Sequence, residues 1–313
     1  MPLLSDPSAL VPAVAAGDRR ALARLITLVE EGGDGSAGAL ADAYAAAVPA
    51  HRVGITGAPG SGKSTLTDRL IARARADGES IGVLAVDPTS PFSGGAVLGD
   101  RVRMQDHILD ESVYVRSMAS RGHLGGLSAA APKALVAMET AGFDRILIET
   151  VGVGQDEVEV MSAADTVLVV VTAGWGDGVQ AAKAGILEIG DLFVVNKADR
   201  PGVSDTSADL RAMLALGGEL DWEPPIIETV ASTGVGVPDV WDAIERHRTH
   251  LGSTGLEEAR RARRRAELET ALASRFRDRA IQALNAGIGS NLAAAVESGD
   301  LDPWSAADQL SDF

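Results

Sequence analysis

The sequence of 313 residues has no cysteine, few aromatic residues and fewer basic than acidic side chains. Without cysteine the chain forms no disulfide, zinc–cysteine site or iron–sulfur cluster, which fits a protein of the reducing cytoplasm. Its 28 Lys and Arg against 44 Asp and Glu give a net charge of −16, which argues against general binding to nucleic acid or anionic lipid. No apolar run reaches the roughly 20 residues that span a bilayer, so we expect no membrane partner. Proteins and small molecules are the expected partners.

Three regions of different pattern divide the chain. Residues 1–50 carry apolar side chains at helical spacing and predict a helical N-terminal extension. Residues 51–250 alternate short apolar runs with helical segments, which predicts an α/β fold with a mostly parallel sheet covered by helices. Residues 251–313 lack strand patterns, and one helix face there bears Leu268, Leu272, Phe276, Ala280 and Leu284. That stripe predicts a helical arm that packs on its own domain, forms a homodimer or binds a partner.

Six runs rich in Val, Ile and Leu predict strands that are buried on both faces. The runs are Arg52–Thr56, Ile81–Asp87, Arg145–Thr150, Thr166–Thr172, Leu192–Asn196 and Ile226–Val230. Ligands of open parallel sheets bind beyond the carboxyl ends of the strands, so residues that end or follow these runs are candidates for a site.

A phosphate-binding loop follows the first of these runs. The sequence Gly57, Ala58, Pro59, Gly60, Ser61, Gly62, Lys63, Ser64 fits the pattern G-x-x-x-x-G-K-[ST] and precedes a predicted helix, Thr65 to Ala76. Backbone N–H groups of such a loop surround phosphates, and a helix N-terminus adds positive potential. We expect residues 57–65 to bind a nucleotide, Lys63 to contact its β and γ phosphates and Ser64 to bind Mg²⁺.

A second motif indicates which base is bound. Asn196, Lys197 and Asp199 form N-K-x-D at the end of the run Leu192–Asn196. The Asp199 carboxylate would accept hydrogen bonds from the guanine N1–H and 2-amino groups, which adenine does not present in that way. The motif therefore favours guanine. Ala231, Ser232 and Thr233 follow the last run and are candidates for a backbone contact with the guanine O6, although an ordinary polar turn is an equal alternative.

Acidic residues near the same sheet edge are candidate magnesium ligands beside Ser64. They are Asp87, Asp100 and Glu149. Mg²⁺ takes oxygen ligands and usually needs only one or two carboxylates beside the phosphates, so not all three need bind the ion directly.

The sequence resembles the MeaB/ArgK-like GTPases, the chaperones of methylmalonyl-CoA mutase, in the phosphate loop and in four further blocks. The first block is Val86–Ser90 with Gly94–Gly95 and Leu98–Met104, the second is Arg121–Gly126 and the third is Glu149–Gln155. The fourth is Gly176–Gln180, continuing through Lys183–Ile186 to Asn196–Asp199. The resemblance implies that Asp87–Asp100 and Val151–Glu159 are nucleotide-sensing switches and that Gly174–Ile189 faces a client enzyme. It implies GTP hydrolysis that gates delivery of adenosylcobalamin to an acyl-CoA mutase, and a C-terminal dimerisation arm. Gln155 is a candidate for orienting the attacking water, as a glutamine does in other GTPases.

Two other functions remain open. A P-loop kinase would transfer the phosphate to a small molecule or a protein, but it needs an acceptor pocket and has no requirement for N-K-x-D. A metal-insertion GTPase for a nickel enzyme would usually carry clusters of Cys or His, and this chain has no cysteine and five scattered histidines.

Overall fold

The computed structural model describes residues 6–88, 107, 109–120, 126–150, 161–174, 188–216 and 221–311. Contacts within it divide the chain into two compact units, Met1–Arg260 and Arg261–Phe313. The predicted boundaries at residues 50 and 250 come from changes in the sequence pattern, and they stay predictions.

A seven-stranded sheet forms the centre of the first unit. Its strands lie in the order β3-β2-β4-β1-β5-β6-β7, and every neighbouring pair is parallel. The strands are β1 His51–Gly57, β2 Ile81–Pro88, β3 Val113–Ser120, β4 Arg145–Thr150, β5 Thr166–Thr172, β6 Leu192–Asn196 and β7 Ile226–Thr229. The predicted parallel α/β fold is confirmed.

Nine helices are present in the described residues. They are α1 Pro7–Ala15, α2 Arg19–Glu31, α3 Ser36–Ala46, α4 Lys63–Ala76, α5 Gly126–Thr140, α6 Val203–Ala215, α7 Val237–Leu284, α8 Gly287–Ser298 and α9 Pro303–Ser311. Helix α7 contains a non-helical residue, Gly252, with φ 59° and ψ −173°. This left-handed φ suits glycine, which has no Cβ to clash. No described helix is long and apolar enough to cross a membrane.

Burial on both faces explains why the strands are continuously apolar. In β5, Val167, Val169 and Val171 belong to a core with α1, α2, α3 and α5. The alternate residues Leu168 and Val170 belong to a second core with α4 and the start of α7. Since successive side chains of a strand point to opposite faces, a sheet covered on both sides needs apolar residues at every position.

Strand β3 was missing from the six predicted strands. Among the described strands it lies at one edge of the sheet and pairs with β2 alone. Its sequence includes Arg116 and Ser117, which are partly buried, and Arg116 forms an ion pair of 2.9 Å with Glu30 of α2. A search for unbroken runs of Val, Ile and Leu therefore overlooked it.

Candidate functional site

The phosphate-binding loop connects β1 to α4 at the carboxyl edge of the sheet. Gly57 has φ 139°, and a Cβ built there would lie 2.0 Å from the carbonyl oxygen of Val170. Gly62 has φ 95°, and a Cβ there would lie 2.3 Å from Nδ2 of Asn196. Both contacts are far too short for any side chain. Glycine is therefore required at both positions, because the Val170 backbone approaches Gly57, the Asn196 side chain approaches Gly62, and both residues have a positive φ.

Lys63 is the first residue of α4 and is buried, with 5% of its surface exposed. Its Nζ donates hydrogen bonds to the carbonyl oxygens of Gly57 at 2.7 Å and Ala58 at 3.0 Å. The positive charge of Lys63 thus lies inside the phosphate-binding loop. Gly62 precedes the helix and has no side chain that could cap it, and the positive end of the helix dipole at this terminus favours an anion. Within the rest of the predicted loop, Pro59, Gly60 and Thr65 are exposed and Ser61 is buried.

Ser64 and Glu149 meet beside Lys63. The Ser64 hydroxyl donates a hydrogen bond of 2.6 Å to Oε1 of Glu149, which is 1% exposed. Glu149 comes close because β4 lies next to β1, with Ile55 in register with it. A hydroxyl and a carboxylate are oxygen donors of the kind Mg²⁺ takes, so these two residues fit that ion.

Asp87 and Asp100 are the other predicted metal ligands. The backbone of Asp87 extends β2 and pairs with Ala119, but its side chain lies outside the described residues, as does all of Asp100. Among the described side chains, no cluster of three or more His, Cys, Asp or Glu could hold a metal ion. Gln155 also lies outside the described residues.

Asn196 joins three parts of the site. It is buried, at 2% exposure, at the end of β6. Its Nδ2 donates to the carbonyl oxygen of Ser61 at 2.8 Å, and its Oδ1 accepts from Thr229 Oγ1 and from the Ala231 N–H, both at 3.1 Å. The carboxamide therefore ties the phosphate loop to the end of β7 and to the turn that follows it.

Lys197 and Asp199 continue from Asn196 towards solvent. Lys197 has a left-handed φ of 62°, an unusual conformation for a residue with a side chain, and its Nζ donates to the carbonyl oxygen of Gly60 at 2.6 Å. The Lys197 stem thus crosses between the N-K-x-D segment and the phosphate loop. Asp199 is exposed. Its carboxylate is therefore accessible to a ligand.

Residues Ala231, Ser232 and Thr233 form a tight turn after β7. The N–H groups of Thr233 and Gly234 both donate to the carbonyl oxygen of Val230 at 3.0 Å, which closes the turn. Outside the turn, Arg69 of α4 donates to the carbonyl oxygens of Ala231 at 3.2 Å and Ser232 at 3.0 Å. Sequence reasoning missed Arg69, since nothing in a helical arginine shows which distant carbonyl it meets.

The sequence of this chain matches a protein-family model and several known proteins. The model is described as methylmalonyl-CoA mutase-associated GTPase MeaB and matches residues 22–285. A candidate GTPase of Pyrococcus horikoshii is 48% identical over 304 residues, covering 96% of this chain and 95% of its own length. GTPase ArgK of Escherichia coli is 36% identical over 250 residues, covering 76% and 75%. The mouse methylmalonic aciduria type A homolog is 36% identical over 215 residues, covering 67% of this chain and 52% of its own.

A solved structure described as an LAO/AO transport system kinase has a similar fold. The two chains superpose with a TM-score of 0.72 at 25% sequence identity, covering 98% of this chain and 97% of the other. The architecture derived above is thus shared over nearly the whole length of both proteins.

Proposed function

Because the chain belongs to the family of methylmalonyl-CoA mutase-associated GTPases named MeaB, we propose that its GTPase site switches a chaperone for a cobalamin-dependent acyl-CoA mutase. The resemblance first seen in the motifs is confirmed by the family model and by the relatives, and with it the assignment as a P-loop GTPase.

The position of Asn196 carries the proposal that guanine binds at this site. Its carboxamide contacts Ser61 in the phosphate loop and Ala231 in the turn after β7. A nucleotide with its phosphates in the loop would therefore place its base between the N-K-x-D segment and that turn. There Asp199 would accept from guanine N1–H and the 2-amino group, and an unpaired acceptor at that place would reject adenine.

Charge stabilisation at the phosphates would account for hydrolysis. Lys63 holds a positive charge within hydrogen-bond distance of the loop carbonyls Gly57 and Ala58, where the β and γ phosphates would lie. Ser64 and Glu149 would hold Mg²⁺, which neutralises charge on the phosphate oxygens when it is bound. Asp87 and Asp100 stay candidates for further contacts with the ion, and Gln155 for orienting the attacking water.

The client is proposed to be an adenosylcobalamin-dependent acyl-CoA mutase, with methylmalonyl-CoA mutase first. The matching family is described by its association with that mutase, and the mouse relative is named for methylmalonic aciduria. Loops held by the γ phosphate relax after hydrolysis, so a surface facing the client would change shape between GTP and GDP. That change would gate loading of the cofactor in the cytoplasm.

Two copies of the chain are proposed to associate through the unit Arg261–Phe313. On the part of α7 in that unit, Leu268, Leu272 and Phe276 recur every four residues and are 58%, 45% and 64% exposed. Four-residue spacing places these side chains on one face of the helix. An apolar stripe of this kind on an exposed helix marks a contact surface, and a second copy of the same stripe would bury it.

A P-loop kinase is the second candidate, since the similar solved structure is described as a kinase. A kinase would transfer the γ phosphate to an acceptor, whereas a GTPase releases it as inorganic phosphate. Phosphate release without any added acceptor separates the two.

Turnover with and without the client tests the proposal. Release of phosphate from GTP and from ATP would be followed with the purified protein alone and with methylmalonyl-CoA mutase added. We expect slow turnover that is selective for GTP and is accelerated by the mutase. Lys63→Ala should abolish it, and Lys133→Ala, a lysine on α5, should not. Turnover of GTP that the mutase leaves unchanged would contradict the choice of client.

A further inference from the structure

Arg69 contacts the two carbonyl groups of the turn that the guanine base is proposed to meet. It lies on α4, six residues after Lys63, about 9 Å further along the helix axis at the usual rise per residue. Its Nε donates to the carbonyl oxygen of Ala231 at 3.2 Å and its Nη2 to that of Ser232 at 3.0 Å. A planar guanidinium with two donors on two acceptors fixes the orientation of both peptide groups.

The orientation of these peptides determines where the Ser232 N–H points. In a planar trans peptide the C=O of one residue and the N–H of the next point in opposite directions. Since the Ala231 carbonyl faces Arg69, the Ser232 N–H faces away from α4. The positive charge of Arg69 at the carbonyl end also polarises the peptide and strengthens this N–H as a donor.

The Ser232 N–H is the amide of this turn that is available to a ligand. The Ala231 N–H donates to Asn196 Oδ1, and the N–H groups of Thr233 and Gly234 donate to Val230. Within the part of the chain that the structure describes, Ser232 is the residue of Ala231–Gly234 whose N–H has no protein acceptor. A donor next to Asn196 would suit the 6-oxo group of guanine, where adenine has an amino group.

We propose that Arg69 is a positioning residue for guanine recognition, because it holds the Ala231–Ser232 peptide with its N–H directed to the 6-oxo group of the base. The proposal rests on guanine binding as proposed above. Arg69 itself does not touch the nucleotide. Its effect therefore falls on one hydrogen bond and on one position of the purine ring.

Binding of GDP and of 6-thio-GDP, measured by calorimetry, tests this role. Sulfur at position 6 is a poor acceptor, while N1–H and the 2-amino group are kept. The wild-type protein should bind GDP roughly three- to tenfold more tightly than 6-thio-GDP, the value of one ordinary hydrogen bond. Arg69→Ala should weaken GDP binding by about that factor and leave 6-thio-GDP binding nearly unchanged. The ratio of the two affinities should therefore fall to about one.

Two further variants separate positioning from general stability. Arg69→Lys keeps the positive charge, but a lysine lacks the planar pair of donors that reaches both carbonyl groups. Its ratio of GDP to 6-thio-GDP affinity should therefore lie between those of the wild type and Arg69→Ala. This variant replaces Arg69→Ala in the test if Arg69→Ala folds poorly. Arg73→Ala is the matched control, because Arg73 lies one turn further on α4 and pairs with Asp77 at 2.5 Å. It should retain the wild-type ratio.

The outcomes distinguish this proposal from the proposed function. Equal loss of GDP and 6-thio-GDP affinity in Arg69→Ala and Arg69→Lys would show that Arg69 only supports the fold, and would overturn the proposal. A wild-type protein that prefers GDP to ADP yet binds 6-thio-GDP as tightly as GDP would overturn it too. Equal binding of GDP and ADP by the wild-type protein would instead contradict guanine recognition as a whole.

Discussion

The carboxamide nitrogen of Asn196 lies 2.8 Å from the carbonyl oxygen of Ser61, although the two residues are 135 positions apart in the sequence. This hydrogen bond brings the end of β6 to the phosphate loop. The same side chain accepts two more hydrogen bonds at its other end, so the loop, β6 and the turn after β7 are held by one buried amide.

Asn196→Ala should weaken nucleotide binding and lower stability together. The change leaves buried polar groups of Ser61, Thr229 and Ala231 without their partner, and each such group costs about 1–3 kcal/mol. We expect GDP affinity to fall by roughly ten- to a hundredfold, with a lower melting temperature. Fluorescence titration and thermal unfolding measure the two effects. The control is Asn285→Ala, which removes only an exposed hydrogen bond to Ile281, and equal behaviour of the two variants would contradict the role of Asn196.

Ser64→Ala should raise the Mg²⁺ concentration needed for half-maximal GTP hydrolysis by roughly tenfold or more. The serine hydroxyl supplies one proposed ligand and also holds Glu149, the other, at 2.6 Å. A magnesium titration of turnover measures the effect. Ser207→Ala is the matched control, because it removes a 2.8 Å serine–glutamate hydrogen bond, to Glu228, that lies outside the proposed site. An unchanged magnesium requirement in Ser64→Ala would contradict the assignment.

A buried chain of hydrogen bonds lies at the amino ends of the strands. Arg145 Nη1 lies 3.0 Å from His51 Nδ1, and His51 Nε2 lies 3.0 Å from Thr166 Oγ1. The Thr166 hydroxyl is in turn 2.9 Å from His247 Nδ1. Since arginine can only donate, His51 Nδ1 accepts and its Nε2 carries the proton, which leaves the Thr166 hydroxyl to donate to His247. Both histidines are therefore neutral in this arrangement.

From these buried hydrogen bonds we predict that the protein loses stability in mild acid. Burial lowers the pKa of His51 to about 3 and, together with the charge of His250, lowers that of His247 to about 4. The unfolded chain binds these protons below pH 6.5 and the folded chain does not, so each histidine costs stability as pH falls from about 6.5 to 4. Burial raises the pKa of Asp191 to about 6, although a hydrogen bond from Val167 opposes this. Asp191 therefore adds stability as the pH falls from 6 towards 4. Because the two histidines each lose stability over this range and only Asp191 gains it, the net effect is a loss.

Urea unfolding at pH 7, 6 and 5 measures this dependence. The wild-type free energy of unfolding should decrease as the pH falls. His51→Gln should be less stable than the wild type at pH 7, because its hydrogen bond to Arg145 is altered. On acidification, however, its free energy of unfolding should fall less steeply than that of the wild type, by about 1 kcal/mol per pH unit. Parallel pH dependence of the two proteins would contradict the assignment of His51 as neutral.

Phe276→Asp should convert the proposed homodimer to a monomer. The side chain is 64% exposed within a stripe that includes Leu272, and a buried unpaired carboxylate would be costly in an interface. Light scattering after size-exclusion chromatography gives the mass directly. Ser274→Asp, two residues away and on a different helix face, should retain the dimer. A wild-type protein that is monomeric at every concentration, or a Phe276→Asp variant of dimer mass, would contradict the proposed surface.

The sequence predicts the sheet well because burial on both faces leaves a visible pattern. Each of the six apolar runs corresponds to a strand, and Arg145–Thr150, Thr166–Thr172 and Leu192–Asn196 match in both bounds. Edge strand β3 was missed, since partial exposure permits Arg116 and Ser117 there.

The local motifs of the site were visible in the sequence, but its long-range contacts were not. The phosphate loop and N-K-x-D have fixed spacing because backbone turns and base contacts require it. The pairing of Ser64 with Glu149 depends on the neighbouring positions of β1 and β4, which no spacing reveals. The hydrogen bonds of Arg69 to Ala231 and Ser232 cross more than 160 residues and depend on the whole fold.

The central claim is that Asp199 recognises guanine. It is tested most directly by competition between GDP and XDP for the wild-type protein and for Asp199→Asn. Xanthine carries a 2-oxo group that needs a donor, which asparagine supplies and aspartate does not. Asp205→Asn, an exposed residue on α6, is the control. We predict that the wild-type protein and Asp205→Asn prefer GDP, and that Asp199→Asn prefers XDP by roughly tenfold or more. An Asp199→Asn variant with the wild-type preference for GDP would contradict the proposed base site.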